Sequence, residues 1–167
     1  LNYTRMKGQY DRSTPPVDDY DTSKTAIAHL KWGAPWGPNY RSDVQVSRTH
    51  LNIDRRNSAP ESLKANSTSL VWQNIWSLQG HKVSVNLEHI EDRLNTDYAW
   101  TQNVDEKRTQ NALALGWNYN FGSHSFNAHV RHDDVRNQKS KTTGSLGYGL
   151  QLNDKWRWTA SAGTAFR

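Results

Sequence analysis

The sequence contains no cysteine and no long apolar run. The first absence excludes a disulfide framework and any thiolate zinc site, and it suits passage through an oxidising compartment. The second excludes a membrane helix, which needs about 20 consecutive apolar residues. Helical periodicity is weak throughout. Basic residues outnumber acidic ones by 21 to 16, a net charge of +5, but they are spread along the chain. They do not interleave with aromatic residues as in a nucleic-acid groove, so no nucleic-acid partner is expected. No Gly-rich phosphate loop is present. Mean hydropathy is −0.96, low for a membrane protein of the helical kind.

What is present is period-two alternation, from which about nine strands can be drawn. They run over Leu1–Gln9, Lys24–Trp32, Tyr40–Leu51, Lys64–Leu78, Lys82–Asp92, Glu106–Phe121, Ser125–Arg131, Thr142–Leu152 and Lys155–Arg167. Four tight connections are crowded with aromatics: Trp32 to Tyr40, Trp76 to Lys82, Trp117 to Phe126, and Leu152 to Trp158. Six of the eight tryptophans lie there. The other connections, Tyr10–Ser23, Asn52–Leu63, Arg93–Asp105 and His132–Lys141, are long and polar. Short turns on one side, long loops on the other and an aromatic girdle are the asymmetry of a transmembrane β-barrel, since amphipathic rings are most stable at headgroup level. A wide barrel also tolerates low mean hydropathy, because only alternate residues face lipid.

The faces separate near the turns. Leu113, Leu115, Trp117, Tyr119 and Phe121 oppose Ala112, Ala114, Gly116 and Asn118. Leu146, Tyr148, Leu150 and Leu152 oppose Ser145, Gly147, Gly149 and Gln151; Trp156 and Trp158 oppose Arg157 and Thr159. In a sandwich those apolar faces would pack on a second sheet. In a barrel they face lipid, with Trp117, Tyr119, Trp156 and Trp158 outward at the turn end and Leu113, Leu115, Leu146 and Leu150 nearer mid-membrane. Asn74 interrupts the apolar face between Trp72 and Trp76, and the sequence offers no reason for it. The fold class is therefore all-β, an antiparallel meander forming a segment of a large transmembrane barrel over residues 1–167.

Candidate chemistry is sparse. Seven histidines are scattered without a His-Glu-x-x-His arrangement, so no transition-metal site is expected. Asp18, Asp19 and Asp21 put three carboxylates in one loop, whose oxygen chemistry suits Ca²⁺ although the spacing lacks an EF-hand's Gly and Glu. No other cofactor is expected. His132-Asp133-Asp134 offers an imidazole and carboxylates at a strand's outer end, the best enzymatic candidate, with a loop-entry turn as the alternative. Arg41, Asp43, Gln45, Ser47 and Thr49 share the polar face of the third strand and are expected to line a lumen and meet a passing ligand, with a solvated wall as the alternative.

The closing run Trp158-Thr159-Ala160-Ser161-Ala162-Gly163-Thr164-Ala165-Phe166-Arg167 resembles a strand of TonB-dependent outer-membrane receptors. Arg131-His132-Asp133-Asp134 leading to Gly144-Ser145-Leu146-Gly147-Tyr148 resembles the acidic pair and following strand of the same barrels. Asp105-Glu106-Lys107-Arg108-Thr109, Gln73-Asn74 before Gly80-His81, and Asp21-Thr22-Ser23-Lys24 fall in the matching order, most like the cobalamin transporter branch. The resemblance implies a plugged barrel of roughly 22 strands in the bacterial outer membrane. It implies active uptake of a scarce nutrient, cobalamin or a ferric siderophore. The partners implied are outer-membrane lipid, the small-molecule nutrient, and the TonB complex acting through a plug domain; the plug and the remaining strands are expected outside these residues. A passive porin or a barrel enzyme with a rim acidic/His site are the alternatives, and no enzymatic activity is expected.

Overall fold

The structure, a computed structural model, describes residues 2–11, 18–56, 61–98 and 102–164. Nine strands follow one another: β1 (Asn2–Asp11), β2 (Asp18–Gly37), β3 (Tyr40–Arg56), β4 (Glu61–Leu78), β5 (His81–Tyr98), β6 (Val104–Phe121), β7 (His124–Val135), β8 (Lys141–Gln151) and β9 (Arg157–Gly163). They form one sheet in the order β1 to β9, each strand beside its neighbour in sequence, with β1 and β9 at the two ends. In such a meander alternate connections fall at opposite strand ends, so the four tight turns share one end and the other connections share the opposite end. This bears out the expected all-β meander.

The strand bounds correct the sequence reading. Asp18–Ser23, Asn52–Arg56, Arg93–Tyr98 and His132–Val135 were expected as loop and are strand. The turn expected over Trp32–Tyr40 shrinks to Pro38-Asn39, because β2 continues to Gly37. Trp156 lies in the last turn rather than in β9. There Asn153 Oδ1 accepts the backbone N–H groups of Lys155 and Trp156 at 2.9 and 3.0 Å, the local bonding that suits Asn to turns. In the β4–β5 turn Gln79 and Gly80 both hold positive φ, 41° and 82°, as the twist of a two-residue hairpin demands. A Cβ on Gly80 would stand 2.6 Å from the Asn120 carbonyl oxygen.

By contacts the chain forms two compact units. One comprises Leu1–Leu30, Val46–Ser69 and Ile90–Thr109; the other comprises Lys31–Gln45, Leu70–His89 and Gln110–Arg167. The second contains all four tight turns. In its β6–β9 part the register pairs Leu115 with Val130, Trp117 with Ala128, Tyr119 with Phe126, Phe126 with Tyr148, and Ala128 with Leu146, which gathers the apolar side chains on one face. Leu150 pairs with His124 and Trp158, so it lies at the level of the turn-end aromatics and not beyond them as expected. The opposite face pairs Ala112 with Asp133, Ala114 with Arg131 and Gly116 with His129.

Rings meet from strand to strand near the turns. His81 stacks on Tyr119 at 4.0 Å, Tyr119 lies 6.4 Å from Phe126, Phe126 5.0 Å from Tyr148, and Tyr148 5.9 Å from Trp158. On β3 and β4 Tyr40 stacks on Trp76 at 5.1 Å.

Burial is inverted. Among the described residues the only buried hydrophobic side chain is Ala112, whereas Thr22, Ser42, Asp43, Asn74, Thr96 and Asp133 are buried, and leucines, valines and tryptophans are exposed along every strand from β2 to β8. A water-soluble sheet hides its apolar face against another layer. Here none of the nine strands forms such a layer.

Asn74 now has a reason. Its Oδ1 accepts the Tyr40 hydroxyl at 2.6 Å, and Trp72 Nε1 donates to Ser42 Oγ at 2.9 Å. Two buried polar residues inside the aromatic end of the apolar face thus satisfy, and are satisfied by, the polar tips of two amphipathic rings.

Candidate functional site

The polar face of β5–β9 holds a network assembled by strand pairing. Small residues of β6 and β8 lie beside large polar residues of β7. Arg131 Nε bonds both carboxylate oxygens of Asp133 at 3.0 Å, its Nη2 pairs with Glu88, and Gln110 Nε2 donates to Asp133 Oδ1 at 2.9 Å. Asp133 is 6% exposed, and a charge so placed requires these partners. Glycine makes the room. A Cβ at Gly116 would meet Ser84 Oγ at 2.6 Å and His129 Nδ1 at 2.9 Å; one at Gly147 would meet the Asn127 amide at 2.6 Å. Ser84, Asn86, His129, Arg131, Thr143, Ser145 and Thr164 line a hollow of about 260 Å³ on this face. The arrangement is a cross-linked polar wall, one guanidinium shared by two carboxylates, offering hydroxyl, amide and imidazole groups, and it suits reversible polar contact with a neighbouring surface or solute.

The third-strand set is divided between the two units. Arg41 and Asp43 form a two-point ion pair, Nη2 to Oδ1 at 2.7 Å and Nε to Oδ2 at 2.8 Å, with Asp43 buried. Gly33 provides the space, since a Cβ there would overlap Asp43 Oδ1. Gln45 is half-buried in the same unit. In the other unit Ser47 Oγ bonds Ser69 Oγ at 2.7 Å. There Thr49 lines a groove of about 430 Å³ with Leu51, Ala65, Asp92, Leu94 and Arg108. The structure therefore gives Arg41 and Asp43 to each other. It adds two groups the sequence reading did not single out, the Arg131–Asp133–Glu88–Gln110 network and the Thr49 groove. Alternation puts Arg131, Asp133 and Glu88 alike on polar faces. That Glu88 meets Arg131, 43 positions away in sequence, had no such signal.

Of the His132-Asp133-Asp134 run, His132 and Asp134 share a face and line one groove, whereas His132 and Asp133 do not converge. His132 pairs with Leu113 in the register and Asp133 with Ala112, so they occupy opposite faces, and His132 Nδ1 bonds Thr142 Oγ1 at 2.8 Å. Of the calcium set, Asp18 and Asp19 fall in β2 rather than in a loop, and their side chains lie outside the described residues. Asp21 pairs with Arg55 at 3.1 Å. Among the described residues no three His, Asp or Glu side chains are grouped to hold a metal. Histidines bond neighbours across the strands instead: His50 with Asn66 at 2.6 Å, His89 with Asn111 at 2.7 Å and His124 with the Tyr148 hydroxyl at 2.7 Å.

No protein-family model matches the sequence, and no curated protein matches it. Solved structures do match the fold. The copper transporter OprC superposes with a TM-score of 0.70 at 7% identity, over 96% of this chain and 39% of that one. The ferric preacinetobactin receptor BauA of Acinetobacter baumannii gives 0.69 at 9% identity, over 86% and 30%. The ferric yersiniabactin uptake receptor FyuA of Yersinia pestis gives 0.64 at 14% identity, over 87% and 28%. The chain thus spans well under half the length of each of these proteins, and what it shares with them is a fold, a nine-stranded antiparallel meander matching a segment of each.

Proposed function

We propose that this chain is part of the wall of a TonB-dependent outer-membrane receptor, a plugged β-barrel for active uptake of a scarce nutrient. The observation that carries the reading is the inverted burial: a single sheet whose apolar face has no covering layer, edged by an aromatic row at the turn end. Such a face is stable against hydrocarbon, with amphipathic rings at the headgroups. The fold neighbours, receptors and transporters for ferric siderophores and copper, support the same reading. A ferric siderophore is the ligand class their cargo favours; cobalamin rests on the strand resemblance alone.

In this account the apolar face meets lipid, and the polar face, with its Arg131–Asp133–Glu88 network and glycine-lined hollow, meets a plug domain and the passing ligand. TonB acts through that plug. The nutrient is captured at the strand ends opposite the turns. Uptake of labelled ferric siderophores by cells expressing the intact protein, with and without a functional TonB complex, tests the proposal. Concentrative, TonB-requiring uptake supports it. Energy-independent equilibration of small solutes would instead indicate a passive porin.

A further inference from the structure

We infer that the apolar-side face of β1–β4, toward the ends away from the tight turns, docks the phosphate groups of membrane-lipid headgroups. The inference rests on the membrane reading above. Strand alternation and two cross-strand bonds define the face: His50 bonds Asn66, which places Arg48 and Lys64 on the same side, and Arg55 bonds Asp21 on the other side, which leaves Lys24 with Arg48. The β1–β2 register sets Arg5 directly opposite Lys24. Four cations thus share one face of four consecutive strands. Arg5, Arg48 and Lys64 are exposed and Lys24 is half-buried.

None of the four has an acidic partner among the described residues. Several acids of this unit pair with other cations: Glu91 with Lys107 at 2.8 Å, Asp105 with Arg93 at 3.2 Å, and Glu61 and Asp21 with Arg55. Asp54, on the same face nearer the loops, accepts from Asn52 at 3.2 Å. Like charges directly opposite each other on a sheet are destabilising, so the Arg5–Lys24 pair calls for an anion between them. Position selects which anion. Arg48 is two residues beyond Val46, an exposed apolar residue of the same face, so the cations begin where the apolar side chains stop. That is the depth of lipid phosphates beside a spanning sheet, where Lys and Arg stems lie along the apolar surface with their charges at the headgroups.

The test uses the intact protein in bilayers of a phosphorylated glycolipid and of the same lipid after dephosphorylation. Amine acetylation is followed by mass spectrometry. Lys24 and Lys64 should be modified at least about threefold more slowly in the phosphorylated bilayer, while exposed Lys139 reacts alike in both. Millimolar inorganic phosphate added to the dephosphorylated bilayer should not restore the protection. The variant R5Q/K24Q/R48Q/K64Q, checked for folding by heat-modifiable gel mobility, should retain several-fold less phosphorylated lipid on purification than the parent. Equal acetylation in both bilayers, equal protection by free phosphate, or undiminished lipid retention by the folded variant would each overturn the inference. An intact protein that fails to enter any bilayer would overturn the membrane reading itself, and this inference with it.

Discussion

At the scale of single residues the organising fact is that polar atoms are satisfied across strands while apolar side chains are left open. Asn74 shows it most simply: the residue that broke the sequence pattern accepts the Tyr40 hydroxyl and is 5% exposed. Tyr40→Phe keeps the ring that stacks on Trp76 and removes the donor, leaving the Asn74 oxygen bare. The expected cost is about 1–3 kcal/mol, measured by reversible unfolding of the intact protein in lipid. Restoration by Tyr40→Phe combined with Asn74→Leu would confirm that the loss comes from the orphaned acceptor. Gly33 provides a second test. Gly33→Ala pushes a methyl group into the Arg41–Asp43 pair and should cost about 1–3 kcal/mol as an overpacking change. With Asp43→Ala already in place the same substitution should cost much less, a non-additivity expected only of residues in contact.

Elements were legible in the sequence where their two faces differ in polarity and illegible where they do not. Leu113, Leu115, Trp117 and Tyr119 alternate with small and polar residues, and β6 follows them. Arg93–Tyr98 and Asp18–Ser23 carry polar groups on both faces, so their composition reads as loop. They are strand nonetheless, because pairing depends on backbone bonds and on ion pairs such as Arg93–Asp105 and Arg55–Asp21, whose partners lie 12 and 34 positions away. The site was less legible than the fold for the same reason: Glu88 and Arg131 meet only once β5, β6 and β7 are aligned. The two faces should respond in opposite ways to charge. Leu115→Arg should cost about 2–4 kcal/mol if it lies near the bilayer midplane. Thr159→Arg, on the polar face of β9, should change stability little. Equal costs, by folding titration into lipid vesicles, would count against a one-sided lipid contact.

For the whole molecule the consequence is dependence on surroundings. A sheet ordered β1 to β9 has two end strands, and in hydrocarbon each unpaired backbone group costs several kcal/mol, while in water open edges invite aggregation. Residues 1–167 expressed alone should therefore be insoluble or oligomeric, and a soluble monomer with a sharp melt would contradict the receptor account. The central claim is that one face of this sheet meets lipid. It is tested directly with single cysteines carrying nitroxide labels, placed in an otherwise cysteine-free version of the intact protein in bilayers; residues 1–167 contribute no cysteine of their own. Labels at Leu113, Leu115, Val130 and Leu146 should be relaxed strongly by oxygen and weakly by a water-soluble nickel chelate. Labels at Ala114, His129 and Ser145 should show the reverse or be shielded from both. A period-two alternation of oxygen access along β6 is the predicted result; equal access to the polar reagent at both sets of positions would contradict it.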